Sequence, residues 1–368
     1  MLEETIGLNE DPDEIDLLDD EPDDATLGTE VDQEGPLYEQ YRFVADAGQN
    51  LLRIDKFLVC HITKLSRNRI QDAADAGFVL VNGISVKSNY RVKPNDVVTV
   101  MVDRPPIDTE LIPEDIPLDI RYEDSDLLVV NKPAGMVVHP GHGNFNGTLV
   151  NALAWHFKEN PQFPTDDPRP GLVHRIDKNT SGLLVIAKNP EAKAHLGWQF
   201  FHKTTHRLYT ALAWGTLPNE TGTIIGHIGR NPKDRLQMKV FEDGSQGKPA
   251  VTHYRVLENI GYVTLLECRL ETGRTHQIRA HMKHIGHPLF NDARYGGNEL
   301  LKGTTFTKYK QFVKNCFDIC PRQALHARTL GFKHPVTGEE MLFECPLPDD
   351  MTALIEKWRG YVAYRDIE

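Results

Sequence analysis

The run Gly171-Leu172-Val173-His174-Arg175-Ile176-Asp177-Lys178-Asn179-Thr180-Ser181-Gly182-Leu183-Leu184-Val185 sets an aspartate in a polar, glycine-bounded loop that leads straight into an apolar strand over 183–187. Arg175 stands two positions before the aspartate and Lys178 directly after it. Such a loop fixes a carboxylate at the end of a rigid element, in surroundings that attract polyanions. The competing reading is a turn aspartate whose side chain accepts from the amide of Thr180 or Ser181.

Outward from this loop, from about residue 118 to the end, short strands and short helices alternate irregularly. Apolar runs or alternation predict strands over 127–130, 207–214, 248–257, 262–270, 325–332 and 340–345. Helices are expected over 148–157, 190–204, 275–285 and 351–361, with Pro190 placed at a first turn and Gly286-His287-Pro288 stopping the third. Strands that mostly follow one another, with helices interspersed, predict an α+β domain with a mixed, largely antiparallel sheet. The polar, lysine-rich stretch 298–322 reads as a surface excursion.

The net charge of −12 seems to exclude a nucleic-acid partner, but it is unevenly spread. Residues 1–50 hold 17 Asp or Glu and one Arg, so the rest of the chain is mildly basic. Residues 1–37 therefore read as an acidic tail too poor in apolar groups to fold. No apolar run reaches the roughly 18 residues of a membrane span. The N-terminus lacks a secretory pattern, so a cytoplasmic location is expected. Five scattered cysteines fit reduced thiols better than a disulfide framework, and Cys316 and Cys320 miss the usual Cys-x-x-Cys spacing.

Residues 38–102 read as a separate small α/β module. Asp55 opens an apolar-periodic segment, Ser66 is placed as the cap of a second helix that Gly77 ends, and Asn82-Gly83 sits between two apolar strands as a hairpin turn. Eight Lys or Arg stand against four Asp between positions 52 and 98. Arg53, Lys56, Lys64, Arg67 and Arg69 fall on or beside the helices, where one basic face can bind phosphate. Prolines 105, 106, 113 and 117 mark 103–117 as a semi-rigid linker to the larger domain, 118–368.

Two further segments carry chemistry. In His206-Arg207-Leu208-Tyr209-Thr210-Ala211, alternation turns Tyr209 to the face opposite Leu208, where its ring either packs in the core or offers a stacking surface to a base. In Gly273-Arg274-Thr275-His276-Gln277-Ile278-Arg279-Ala280-His281-Met282, a helix puts Ile278 and Met282 on one apolar side with Arg279 close to it. A guanidinium there needs a buried anion, for which Asp177 is the natural candidate. His276, His281, His284 and His287 lack metal-ligand spacing, and no nucleotide-binding glycine loop occurs.

The strings His174 to Gly182, His206 to Gly215 and Gly273 to Arg279 together resemble the signatures of the RNA pseudouridine synthase family. The strings Arg53 to Leu58, Ser66 to Gln71 and Val81-Asn82-Gly83 resemble the RNA-binding module named after the fourth small-subunit ribosomal protein. The resemblance implies isomerisation of uridine in RNA to its carbon-linked form, with no cofactor and no metal. It assigns Asp177 as the catalytic carboxylate, Arg279 as its ion-pair partner, Tyr209 as the residue on the target base and Ile278 as an apolar pocket wall. Arg175 would take the place of the extruded base or hold an adjoining phosphate. RNA is the implied partner, and the appended module with Val138-His139-Pro140-Gly141 points to large-subunit ribosomal RNA ahead of tRNA. A monomer suffices for this chemistry.

Overall fold

Apolar alternation builds most of the strands in the computed structural model, which describes residues 38–62, 67–102, 111–141, 144–163, 167 and 169–365. The acidic segment 1–37, the expected cap Ser66 with Lys64, and residues 103–110 of the linker lie outside the described residues. The chain divides into two compact units between residues 110 and 111.

The smaller unit runs β1 (Tyr38–Val44), β2 (Leu52–Arg53), α1 (Ile54–His61), α2 (Arg67–Asp75), β3 (Val79–Val81), β4 (Ile84–Ser85), β5 (Arg91–Val92) and β6 (Val97–Val102). Its main sheet has the order β1-β6-β3-β4, and β2 pairs separately with β5. Asn82 and Gly83 turn the β3–β4 hairpin with φ of 51° and 81°, the left-handed values that a tight two-residue turn demands. Phe57, Leu58 and Ile70 of the helices bury against Val79, Val81 and Val98.

The larger unit runs β7 (Ile120–Glu123), β8 (Leu127–Lys132), α3 (Leu149–His156), β9 (Ser181–Ala187), α4 (Pro190–Phe201), β10 (His206–Trp214), β11 (Thr221–Asn231), β12 (Asp234–Phe241), β13 (Lys248–Ile260), β14 (Val263–Leu270), α5 (Gln277–His284), α6 (Thr307–Ile319), β15 (Leu325–Lys333), β16 (Glu340–Glu344) and α7 (Asp349–Arg365). Ten strands form one sheet in the order β12-β11-β13-β14-β10-β15-β9-β8-β7, with β16 beside β15. The β9–β15 pairing is parallel and the other pairings are antiparallel, so the expected mixed, largely antiparallel α+β sheet is present.

Strands β8 and β9 carry unbroken apolar runs over 127–130 and 183–187 because both sheet faces are covered there. Leu128, Val130, Leu184 and Ile186 join the core that holds Leu149 and Leu153 of α3. Leu127, Val129, Leu183 and Val185 face the other way, toward Leu196 and Phe200 of α4. Gly182 allows β15 to come close. Its φ is +124°, and a Cβ there would stand 2.2 Å from the Ala327 carbonyl oxygen.

The structure departs from the sequence reading in three places. The 298–322 excursion contains α6, whose Tyr309, Val313 and Cys316 are buried with Trp214 and Trp358. These positions follow the i, i+4, i+7 rule of a buried helical stripe, and the lysines between them occupy the opposite face. The β11–β12 hairpin, for which the sequence suggested no element, extends the sheet at one edge. Residues 111–117, assigned to the linker, are held on the larger unit: Glu114 N donates to Asn151 O at 3.0 Å and Asn151 Nδ2 to Ile112 O at 2.8 Å.

Candidate active site

Strand register brings the separate motifs together. Gly182, at the start of β9, is level with Ala327 of β15, Ala327 with Tyr209 of β10, and Tyr209 with Cys268 of β14. The loop before β9 carries Asp177, and the segment after β14 leads into α5, which carries Ile278 and Arg279. Asp177, Arg175, Tyr209, Ile278 and Arg279 all line one cleft of about 370 Å³, within the usual range for a small-ligand site.

The Asp177 loop is gripped from several sides. The buried ammonium of Lys132 donates to the carbonyls of Pro133 and Met136 at 2.8 Å and of Lys178 at 3.0 Å. Arg322 donates to Asn179 O at 3.0 Å while Asp350 holds its other edge at 2.7 and 2.9 Å. Burial presses the Lys132 pKa down to about 7; the Asp177 carboxylate raises it and the Arg322 charge lowers it. Thr180 N donates to the main-chain carbonyl of Asp177 at 3.0 Å. The turn is therefore closed by backbone, and the carboxylate is free to point elsewhere.

It points to Arg279. Arg279 Nη1 donates to Asp177 Oδ2 at 2.9 Å, with the aspartate side chain 17% exposed and the arginine side chain 7%. Asp177 is not the sole anion on this guanidinium. Asp292, fully buried, accepts from Arg279 Nε at 2.8 Å and from Nη2 at 3.0 Å. The Tyr295 ring lies 5.1 Å from the guanidinium carbon. Burial works against the arginine's charge, but the Asp292 hydrogen bonds and the two carboxylate charges outweigh it and hold its pKa above the ordinary value. The guanidinium is thus a permanent cation, clamped from behind, that offers one N–H to the carboxylate in the cleft.

Ile278 is buried beside Tyr209 in the core cluster that floors the cleft. Burial raises the Tyr209 phenol pKa; the Arg207 charge lowers it and the Asp177 charge raises it. His174, between Arg175 and the core, stacks on Phe200 with centroids 4.3 Å apart and accepts from Val185 N at 3.0 Å. Burial and the Arg207 charge push its pKa down to about 3, which keeps it neutral. Arg175, Lys203, Arg207, Arg274 and Arg279 give the cleft more cations than the carboxylates of Asp177 and Glu271 supply.

The other histidines disperse into structural roles. His276 takes a left-handed backbone at the start of α5 and bonds Tyr295 Oη at 3.0 Å. His281 bonds Thr252 Oγ1 at 2.9 Å, His284 pairs with Glu242, and His287 bonds the Trp214 carbonyl at 2.8 Å. Burial pushes the Cys316 and Cys320 thiols up to about 12.

In the smaller unit, Arg53 and Arg67 both turn to Asp55. Its buried carboxylate accepts from Arg53 at 3.0 and 3.2 Å, Arg67 at 2.9 and 3.0 Å, Gln71 at 2.7 Å and Lys56 N at 2.8 Å. Burial raises the Asp55 pKa, but these donors overcome it and lower the pKa to about 2. The two arginines keep 41% and 47% of their side chains exposed, and Lys56 is exposed beside them. Arg69 lies on α2. Sequence reasoning missed Asp55 as their common anchor, as it missed Asp292; each is a lone acid whose partners are set by packing.

A family model described as RNA pseudouridylate synthase matches residues 126–284, and one described as the S4 domain matches residues 52–98. An "Uncharacterized RNA pseudouridine synthase" of Bacillus subtilis is 48% identical over 320 residues, which cover 87% of this chain and 98% of that protein. A "Ribosomal large subunit pseudouridine synthase D" of Neisseria meningitidis is 43% identical over 307 residues, covering 83% of this chain and 79% of that protein. The solved structure of human RNA pseudouridylate synthase domain containing 4 shares the fold, with a TM-score of 0.51 at 24% identity over 65% of this chain and 92% of that one. No helix among the described residues is long and apolar enough to cross a membrane. With both matched segments in order and relatives this similar along most of its length, the chain belongs to the RNA pseudouridine synthase family.

Proposed function

We propose that this protein converts uridine in large-subunit ribosomal RNA to pseudouridine, with Asp177 as the catalytic carboxylate. The observation that carries the reading is the Arg279–Asp177 contact of 2.9 Å inside a cleft that also presents Tyr209, Ile278 and Arg175. A uridine in a helix cannot reach such a carboxylate. Extruding it costs a few kcal/mol, offset by stacking and hydrogen bonds in the cleft. Tyr209 stacks on the uracil, Ile278 walls the apolar side, and Arg175 fills the vacated position or holds an adjoining phosphate.

The reaction is an isomerisation. The bond from uracil N1 to ribose C1′ breaks, the ring turns, a bond from C5 to the same C1′ forms, and a proton leaves C5 to solvent while one is taken up at the freed N1. Asp177 acts at the sugar, either adding to C1′ or removing the neighbouring C2′ proton; both routes need its ionised form, which Arg279 orients. Nothing is oxidised or consumed, so the chemistry calls for no cofactor.

The smaller unit supports the choice of RNA, with Arg53, Lys56, Arg67 and Arg69 on or beside its two helices as phosphate contacts. Large-subunit ribosomal RNA is favoured by relatives whose names carry that substrate, such as the Neisseria meningitidis protein. The test uses purified protein and an unmodified large-subunit RNA transcript labelled with tritium at uridine C5. Release of tritium in step with pseudouridine is expected. Release from a tRNA transcript alone would move the substrate to tRNA, and release from neither would overturn the activity.

A further inference from the structure

We propose that Arg207 is a phosphate-binding residue, anchoring one backbone phosphate beside the nucleotide whose base enters the cleft. The proposal rests on the reading of that cleft as an RNA site.

Arg207 is the second residue of the strand that carries Tyr209, lines the same cleft and is only 7% exposed. A guanidinium so buried normally has a carboxylate. Arg279 has two, and Arg322 has Asp350 together with main-chain carbonyls. Arg207 has none. Among the described residues its hydrogen bonding amounts to one long contact, Nη2 to Glu271 O at 3.5 Å, and its Nε is buried without a partner.

The neighbouring groups do not remedy this. The Glu271 carboxylate lies in the same lining but is bound to His253 at 2.6 Å. His174 is held neutral, and Phe200 offers Arg207 only a ring face 5.5 Å away. Gly273 packs close to the guanidinium without contributing a side chain, and a Cβ there would stand 2.9 Å from Nη1. Leaving a buried cation unpaired costs stability in the free protein, and arginine cannot shed its proton to escape that cost.

The missing partner is an anion that arrives with the substrate. RNA carries its anions at phosphate, and the planar guanidinium fork matches two phosphate oxygens. Residues two apart on a strand share a face, about 6.7 Å from each other. A base on Tyr209 therefore places the adjoining backbone within reach of Arg207.

A structural arginine and a phosphate anchor respond in opposite ways to removal. The test compares wild type, Arg207→Met and Arg207→Lys for thermal melting of the free protein and for equilibrium binding to an unmodified large-subunit RNA transcript over a range of salt. Arg207→Met is expected to melt no lower than wild type, since it loses an unpaired charge and keeps an apolar stem. Its plot of log affinity against log salt should be shallower by about one, as for loss of one phosphate contact. Arg207→Lys keeps the charge and should keep the wild-type slope. Arg207→Met melting well below wild type, or binding with an unchanged slope, would overturn the proposal. Failure of the activity itself is read separately, as absence of pseudouridine with wild-type protein that still binds the transcript.

Discussion

Asp292 grips the back of Arg279, accepting from Nε at 2.8 Å and Nη2 at 3.0 Å, so that only Nη1 is left to meet Asp177. The buried aspartate offsets the arginine's charge and fixes its plane. Asp177 can then stay partly exposed to the cleft without being the sole compensation for a buried cation.

Asp177→Asn is nearly isosteric and keeps an oxygen for Arg279. Isomerisation should vanish while affinity for the RNA transcript stays within a few-fold of wild type. Tritium release paired with equilibrium binding measures both, and substantial residual turnover would remove Asp177 from the reaction.

Arg279→Ala should abolish turnover and also weaken the fold. It strands the Asp292 carboxylate in the interior, a loss of about 3–5 kcal/mol by the usual cost of breaking a buried pair. Chemical denaturation reads this directly. The double variant Arg279→Ala with Asp292→Ala should recover part of that stability without recovering activity; a single variant as stable as wild type would show that the clamp is unimportant.

Tyr209 contributes a ring at the cleft wall. Tyr209→Leu should lower kcat/KM by more than Tyr209→Phe does, because only the latter keeps a surface for stacking. Equal losses in the two variants would contradict a stacking role.

Three histidines held neutral in the folded protein predict how stability follows pH. Burial, aided by weaker effects of neighbouring charges, depresses His174 to about 3 and His281 and His326 to about 4, against an ordinary value of 6.5. Their folded forms are neutral, whereas the unfolded chain takes up protons below 6.5. Stability is therefore fully present above about pH 6.5 and is lost as pH falls toward 4, each histidine contributing up to about 1.4 kcal/mol per pH unit. Melting curves between pH 7.5 and about 4.5 should show a steady fall, before the carboxylates titrate; a flat profile would contradict the neutral rings.

The parts of the site readable from sequence are those whose constraint is local. The Asp177 loop, the Asn82-Gly83 turn and the Ile278-Arg279 pair each announce themselves within a dozen residues, through turn chemistry or helical spacing. What stayed hidden depends on register and packing. Nothing near Asp292 marks it as the partner of an arginine on the preceding helix, and nothing around Arg207 reveals that its neighbours supply no anion. The stripe Tyr309, Val313, Cys316 was masked by the lysines between, and the row Gly182, Ala327, Tyr209, Cys268 exists only once four strands are aligned.

The central claim is that the Asp177 carboxylate makes pseudouridine in ribosomal RNA. Its most direct test is a pseudouridine map of large-subunit ribosomal RNA from cells lacking this gene, complemented with either wild type or Asp177→Asn. Modification should return at one or a few defined uridines with wild type and at none of them with the variant. Identical maps from the two complemented strains would contradict the account.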